Sequence, residues 1–184
     1  MTKAQTCYLR LAVRDTSVKN PGKLDLDNYL PYLVNRVGSI IADQYGSEAL
    51  APYRLSIPMW RVMAALASKG GLRQIDLADL TSIEVSTLSR IVTRLIRMGV
   101  VTRTRSASST REVIVKLTAE GNAQVTRLIP IARAYEAAAI AGLRPDELVM
   151  LKRCLRRVYA NMKSRAVSMN TLPQRGNRPR AAAE

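Results

Sequence analysis

Hydroxyl and guanidinium side chains recur along one side of residues 85–98, at the spacing of a helix whose apolar residues lie on the opposite side. The polar side carries Ser86, Arg90, Thr93, Arg94 and Arg97, and the apolar side carries Leu88, Ile91, Val92 and Leu95. Serine, threonine and arginine hydrogen-bond base edges, and one arginine can form two bonds with a guanine. Arginines further along such a helix are better placed for phosphates. The segment therefore has the chemistry of a helix that lies in the major groove of DNA.

The elements around this segment are those that would position it on a duplex. A short helix over 74–80 and a tight turn over 81–84 precede it, and Gly99 ends it. Two β-rich runs, 100–105 and 111–117, follow and are joined by a small polar loop. This order predicts a winged helix-turn-helix, whose arginine-bearing hairpin reaches a neighbouring minor groove. The predicted DNA-contacting residues are Arg73, Gln74, Ser86, Thr87, Ser89, Arg90, Thr93, Arg94, Arg103, Arg105 and Arg111.

Four further helices are predicted, so that the fold class is mainly α with a small β-hairpin wing. They cover residues 24–44, with Pro31 near the start and a break at 46–52; 58–69, opened by Pro58 and ended by Gly70; 119–141, capped by Thr118 and with Pro130 inside; and 145–162. Proline is tolerated in a first helical turn, and threonine is a favourable cap.

Charge and composition restrict the function further. The 184 residues include 29 Lys and Arg against 14 Asp and Glu, a formal net charge of +15, and 47% are hydrophobic. This content can form a core, and the charge favours nucleic acid as the partner. There is no histidine and there are two cysteines, which excludes His-dependent catalytic sets and the usual zinc sites. We expect no catalytic residue, metal or cofactor, and the absence of an apolar span or signal peptide favours the cytoplasm.

Several stretches occur in the order and at the spacing of one known family. They are SIPMWRV (56–62), DLADLT (76–81), STLSRIVTRL (86–95), REVIVKLTAEG (111–121) and LRPDEL (143–148). Over about residues 24–163 the chain resembles the MarR (multiple antibiotic resistance regulator) family of transcriptional regulators. The chain departs from its pattern at three places, one of which is Arg144, where a serine or threonine cap is usual. Glu84-Val85 stands where Asp-Pro is common, glutamate being a weaker N-cap than aspartate, and Ser109 stands two positions before Arg111, where an acidic residue is usual.

The resemblance implies a homodimeric regulator, usually a repressor, bound to a near-palindromic operator in double-stranded DNA. It implies that Ser86, Thr87, Ser89, Arg90 and Arg94 face the operator and that Arg111 anchors the wing. We therefore predict a helical dimerisation region over 24–53 and 118–164 and a DNA-binding domain over 54–117. Composition adds a flexible arm over 1–23 and a disordered basic tail over 165–184.

The resemblance also implies release from DNA by a small aromatic acid, or its coenzyme A thioester, bound between the dimer helices and the DNA-reading domain. The residues predicted to line this effector pocket are Tyr29, Tyr32, Arg36, Met59, Trp60, Met63 and Tyr135. Aromatic and methionine side chains form an adaptable apolar wall, and an arginine can meet a carboxylate. Trp60 and Met63, three apart on one helix, are more typical of an ordinary core.

Two other mechanisms remain open from the residues. Cys7 lies in the arm and Cys154 stands among basic residues, a setting that favours a reactive thiol and hence a redox switch. A solvated helix face is the plainer explanation of any single arginine, and a sequence-blind basic protein that coats DNA would also use the net charge. Sequence specificity distinguishes these possibilities, because a dimeric regulator prefers half-sites about one helical turn apart.

Overall fold

The structure is a computed structural model that describes residues 23–105 and 113–170, with side chains as far as Arg165. The described helices are α1 (Leu30–Gln44), α2 (Ile57–Lys69), α3 (Gln74–Thr81), α4 (Val85–Arg97), α5 (Ala119–Ala139) and α6 (Pro145–Asn170). The strands are β1 (Leu72–Arg73), β2 (Val101–Arg105) and β3 (Val113–Leu117). The chain divides into two compact units, with the boundary between Tyr135 and Glu136. The predicted mainly α class is confirmed.

The sheet contains one strand more than the predicted hairpin. Its order is β1-β3-β2, with all neighbours antiparallel. In β3, Val115 pairs with Leu72 of β1 on one side and with Arg103 of β2 on the other. A strand of two residues has no alternating pattern from which it could be predicted. Its effect is to attach the start of α3 to the wing.

The first helix begins later than predicted. Residues Leu26–Asn28 form a separate 3-10 turn, and α1 starts at Leu30 with Pro31 in its first turn. The first-turn N–H groups have no acceptor within a helix, so that proline loses nothing there. A helix begun at residue 24 would instead have placed Pro31 in its interior, where it removes a hydrogen bond.

The predicted break after α1 is also wrong, because the chain continues through Gly46 as a wide π turn, Tyr45–Leu50, and a 3-10 turn, Ala51–Tyr53. Tyr45, Ala49 and Leu50 are buried in this stretch. Glycine inside a helix costs about 1 kcal/mol relative to alanine. Burial of Leu50 outweighs that cost, since a fully buried leucine stabilises by about 1.5–3 kcal/mol.

One core lies within the first unit and draws on α2, α3, α4, α5 and the sheet. Its fully buried side chains are Leu50, Val62, Met63, Leu77, Leu88, Val92, Leu95, Val115 and Leu128. The apolar face of α4 and the inner side of β3 both belong to this core. The predicted DNA-reading helix and wing are therefore held by a common apolar interior.

The start of α5 packs directly on the chain that leaves α4. The predicted cap is confirmed: the Thr118 hydroxyl accepts a hydrogen bond from the Gly121 N–H at 3.0 Å and donates one to the Gly99 carbonyl at 2.7 Å. A Cβ at Gly121 would lie 2.0 Å from the carbonyl oxygen of Val100. Only glycine permits this approach of helix to backbone.

The last helix is longer than predicted. We expected an end near residue 162, yet α6 continues to Asn170 and includes residues 165–170 that composition assigned to the tail. The stretch 163–170 contains neither glycine nor proline, the residues that usually end a helix. Within residues 23–105 and 113–170, no helix combines the length and the apolar character that a membrane crossing requires.

Candidate nucleic-acid interface

The two faces of α4 separate as predicted. Leu88, Val92 and Leu95 are fully buried in the core. Arg90 and Arg94 are exposed on the opposite face, as is Arg97. Apolar burial therefore fixes the helix on one side and leaves a basic surface on the other.

A three-residue turn, 82–84, positions α4 after α3. The buried Thr81 donates its hydroxyl proton to the Leu77 carbonyl at 2.6 Å, and Ser82 takes a left-handed conformation with φ of 54°. The Ile83 N–H then donates to the Ala78 carbonyl at 3.1 Å. These contacts close the end of α3 and set the start of α4, which gives the helix-turn-helix its geometry.

Glu84 caps α4 although it replaces the more usual aspartate. Its carboxylate accepts hydrogen bonds from the Thr87 N–H at 3.0 Å and from the Ser86 hydroxyl. The Ser86 hydroxyl, followed by the backbone N–H groups of Ser86 and Thr87, lowers the pKa of Glu84 to about 2. A charged carboxylate therefore stands at the positive end of the helix dipole at neutral pH.

The predicted reading residues on α4 differ in how far they are free to contact DNA. Ser86, Thr87 and Arg90 are exposed, whereas Ser89 and Thr93 are half-buried. The Thr93 hydroxyl donates to the Ser89 carbonyl at 2.9 Å, so that its proton is already used within the helix. The exposed groups at the first two turns are the better candidates for contact with bases.

The wing meets the start of α3 through polar side chains. Arg103 of β2 donates from Nη2 to Oε1 of Gln74 at 3.3 Å, and Arg105 is exposed near the end of the strand. The structure thus brings together two of the predicted DNA-contacting residues from segments far apart in sequence. Arg111 lies outside the described residues.

Arg73 forms an ion pair in the free protein. Its Nε and Nη2 donate to the two carboxylate oxygens of Asp76 at 2.7 and 2.9 Å. The hydrogen bond with Arg73 holds the pKa of Asp76 below its usual value, and charge attraction acts in the same direction. Arg73 therefore has part of its charge neutralised at the position where the sequence predicted a DNA contact.

The predicted effector residues fall into separate environments. Met59 and Met63 are buried in the core, and Trp60 and Tyr135 are half-buried at its edge. Tyr29, the residue before α1, is exposed. The Arg36 guanidinium lies 5.6 Å from the centre of the Tyr32 ring on the same helix.

Tyr45, which we did not predict as a site residue, connects two of the aromatic members of that set, Trp60 and Tyr135. Its ring centre lies 5.8 Å from that of Trp60 and 5.2 Å from that of Tyr135, with edge contacts in both pairs. Its hydroxyl is buried with no hydrogen-bond partner among the described residues, and burial, followed by the nearby Tyr135, raises its pKa to about 12. We name Tyr45, Trp60 and Tyr135 the aromatic cluster.

Glu48 was also missed as a neighbour of this cluster. Tyr135 donates its hydroxyl proton to the Glu48 carboxylate, and that bond raises the pKa of Tyr135. The spacing of four between Ile41, Tyr45 and Ala49 was a usable signal of the continued helix, but Gly46 suggested a break.

Of the two cysteines, Cys154 is exposed on α6, and Cys7 lies outside the described residues. The described segments contain no group of three or more Cys, Asp or Glu residues that would hold a metal ion.

Comparison with known proteins agrees with this geometry. The MarR family model matches residues 55–113. The transcriptional regulator HosA of Escherichia coli is 29% identical over 104 residues, 56% of this chain and 77% of HosA. A solved MarR family regulator from Silicibacter pomeroyi is 32% identical with a TM-score of 0.66, over 74% of this chain and 91% of its own. BpsR of Bordetella bronchiseptica, 23% identical with a TM-score of 0.63 over 71% and 98% of the two chains, shares the fold. The chain belongs to the MarR family of DNA-binding transcriptional regulators.

Proposed function

We propose that the chain is a homodimeric repressor that binds a near-palindromic operator and leaves it when a small aromatic acid, or its coenzyme A thioester, binds. The observation that carries the proposal is the contrast between the buried apolar face of α4, opposite exposed arginines, and the exposed apolar faces of α1 and α6. The first supports a DNA-reading helix completed within one chain. The second supports helices that a second copy completes.

The apolar face of α1 has large side chains that are more than a third exposed. They are Leu30, Leu33, Val34, Val37, Ile40 and Ile41, and we call them the α1 face. Soluble monomers rarely expose a continuous apolar stripe of this kind, because exposure forfeits the hydrophobic stabilisation of each side chain. A second copy of the same helix is an occupant with matching chemistry under two-fold symmetry.

A comparable surface lies on α6. Its exposed apolar residues on one side of the helix are Leu151, Leu155, Val158, Tyr159 and Met162, and we call them the α6 face. Lys152 donates to the Glu136 carboxylate at 2.7 Å within the same unit. The α6 face supports the same proposal independently of the α1 face.

On DNA, we propose that Ser86, Thr87 and Arg90 contact base edges and that Arg94 and Arg97 contact phosphates. Ser89 and Thr93 add to this surface less, since both are half-buried. Arg73, Gln74, Arg103, Arg105 and Arg111 would contact the backbone or minor groove beside the major-groove helix. Two-fold symmetry of the protein then requires a near-palindromic operator.

For the effector, the aromatic cluster supports a flat, partly polar ligand. The Tyr45 ring makes edge contacts with Trp60 and Tyr135, and its buried hydroxyl lacks a partner among the described residues. A buried polar atom without a partner is costly, and a ligand atom can satisfy it. BpsR, which shares the fold, has its DNA binding regulated by 6-hydroxynicotinic acid. We propose Arg36 as the cation for the carboxylate.

The test is a selection of binding sites from random duplex DNA by the purified chain, repeated with aromatic acids and their coenzyme A thioesters. We expect a near-palindromic motif whose enrichment one compound abolishes, and the Tyr135→Phe variant should need more of that compound. A Cys7→Ser, Cys154→Ser double variant serves as the control.

Other outcomes would contradict the proposal in distinct ways. A motif that resists every compound, but is lost on oxidation only when the cysteines are present, would indicate a thiol switch. Enrichment of no motif would indicate sequence-blind coating of DNA.

A further inference from the structure

The residues at the start of α4 fix whether the Ser86 hydroxyl acts as a hydrogen-bond donor or as an acceptor toward DNA. Ser86 is exposed on the surface proposed to meet the operator, and its hydroxyl donates to the carboxylate of Glu84. Glu84 is itself held in place, because the same carboxylate oxygen accepts the Thr87 N–H at 3.0 Å. The donor, the carboxylate and the helix backbone therefore form one connected arrangement.

A carboxylate has no proton to give, so the proton in this bond must come from Ser86. A hydroxyl has a single proton and two lone pairs. When the proton is committed to Glu84, only lone pairs remain for a partner on the solvent side. Ser86 is then an acceptor toward DNA and not a donor.

The bases differ in what they offer such an acceptor. In the major groove, adenine presents the N6 amino group and cytosine the N4 amino group, both of which are donors. Guanine presents O6 and N7, and thymine presents O4 and a methyl group. An acceptor-only hydroxyl therefore distinguishes amino-bearing from carbonyl-bearing bases, which a freely rotating serine does not.

We propose that Glu84 makes Ser86 a specificity-determining acceptor that selects adenine or cytosine at one symmetric position of the operator. The inference rests on the proposed operator binding. Arg90, one turn further along the same face, has only donors and selects the opposite chemistry, with guanine as its preferred base. The helix thus presents an acceptor and a donor on consecutive turns.

The experiment uses the full chain and duplexes that carry each base pair in turn at every position of the selected operator. Binding is compared for the wild-type chain and for the Ser86→Ala, Glu84→Ala and Glu84→Asp variants. The readout is the ratio of affinities between duplexes for one protein preparation, so that a smaller folded fraction in a variant cancels. Glu84→Asp is the matched control, because it keeps a capping carboxylate.

We expect one symmetric position at which the wild-type chain prefers adenine or cytosine by about three- to tenfold, as one hydrogen bond allows. Ser86→Ala should remove that preference, Glu84→Ala should reduce it to within about twofold, and Glu84→Asp should retain it. At the same position, a base analogue without the amino group should weaken the wild-type chain and leave Ser86→Ala unchanged.

The inference is overturned if Ser86→Ala alters no position, if the altered position prefers guanine or thymine, or if Glu84→Ala keeps the full preference. In each of those cases an operator motif still exists and the proposed function stands. Absence of any motif would overturn both.

Discussion

Two amphipathic helices of this protein, α4 and α6, differ in whether their apolar residues are buried. In α4, Leu88, Val92 and Leu95 are fully buried, and arginines occupy the exposed side. In α6, Tyr159 is 54% and Met162 is 61% exposed. Within residues 23–105 and 113–165, the apolar side chains are thus covered in the first helix and left exposed in the second. An amphipathic pattern predicts that some surface covers the apolar face, and of these two helices only α4 has that surface among the described residues.

The largest effect should follow from a substitution on the buried apolar face of α4. Leu88→Ala should lower the free energy of unfolding by about 2–5 kcal/mol, because it leaves a cavity in a closed core. Leu151→Ala on the α6 face is the matched control. Its cost should shrink toward zero as the protein is diluted, since it acts through association. Denaturant unfolding at several protein concentrations checks both, and a loss below about 1 kcal/mol for Leu88→Ala would contradict a closed core.

A charge placed in the exposed α1 face should dissociate the dimer. Val37→Glu places a charge in the α1 face and should raise the dimer dissociation constant at least about tenfold, as expected for the loss of a central interface contact. Asn35→Glu adds the same charge on the opposite side of α1 and should leave association unchanged. Sedimentation velocity measures both. Equal dissociation by the two variants would mean that charge, and not the apolar face, governs assembly.

On the polar side of α4, two arginines one turn apart should behave differently. Arg90→Ala should cost about 1–3 kcal/mol on the selected operator and little on random DNA, because it removes base readout. Arg94→Ala should weaken binding to all sequences alike and reduce the salt slope by about 1, because it removes a phosphate contact. Competition binding at several salt concentrations provides the data. If Arg90→Ala weakens random and specific DNA equally, its role in base readout is wrong.

The smallest effect concerns pH at the start of α4. The pKa of Glu84 is lowered from 4.5 to about 2, so its stabilising contribution is complete above about 4.5 and is lost as pH falls toward 2. The wild-type chain should therefore lose stability more steeply over this range than Glu84→Gln. Thermal unfolding between pH 6 and pH 2 makes the comparison, and Asp76 titrates equally in both proteins. Parallel curves would show that Glu84 does not cap the helix in solution.

The bounds of α4 could be predicted from sequence because every signal was local. Its apolar spacing gave the buried face, and Gly99, with φ of 75°, ended it as expected. Val85–Arg97 differs from the predicted 85–98 by one residue. Thr118 as a cap was predictable for the same reason.

What could not be predicted depends on contacts between distant segments. The strand β1 exists only because Leu72 and Arg73 pair with β3, and Gly46 remains helical because Tyr45 and Ala49 are buried. The aromatic cluster was missed with that continuation. Side-chain pairing at the interface could not be predicted either. The residue types indicated Ser86 and Arg73 as DNA contacts, but their hydrogen bonds to Glu84 and Asp76 are visible only in the structure.

We propose that one chain completes the DNA-reading region, whereas the α1 and α6 faces need a second copy. Sedimentation equilibrium of the full chain at micromolar concentration tests it most directly. We expect a mass twice the 20.3 kDa of one chain, falling to 20.3 kDa for Val37→Glu with its overall helix content retained by circular dichroism. A stable 20.3 kDa species for the wild-type chain would contradict the claim.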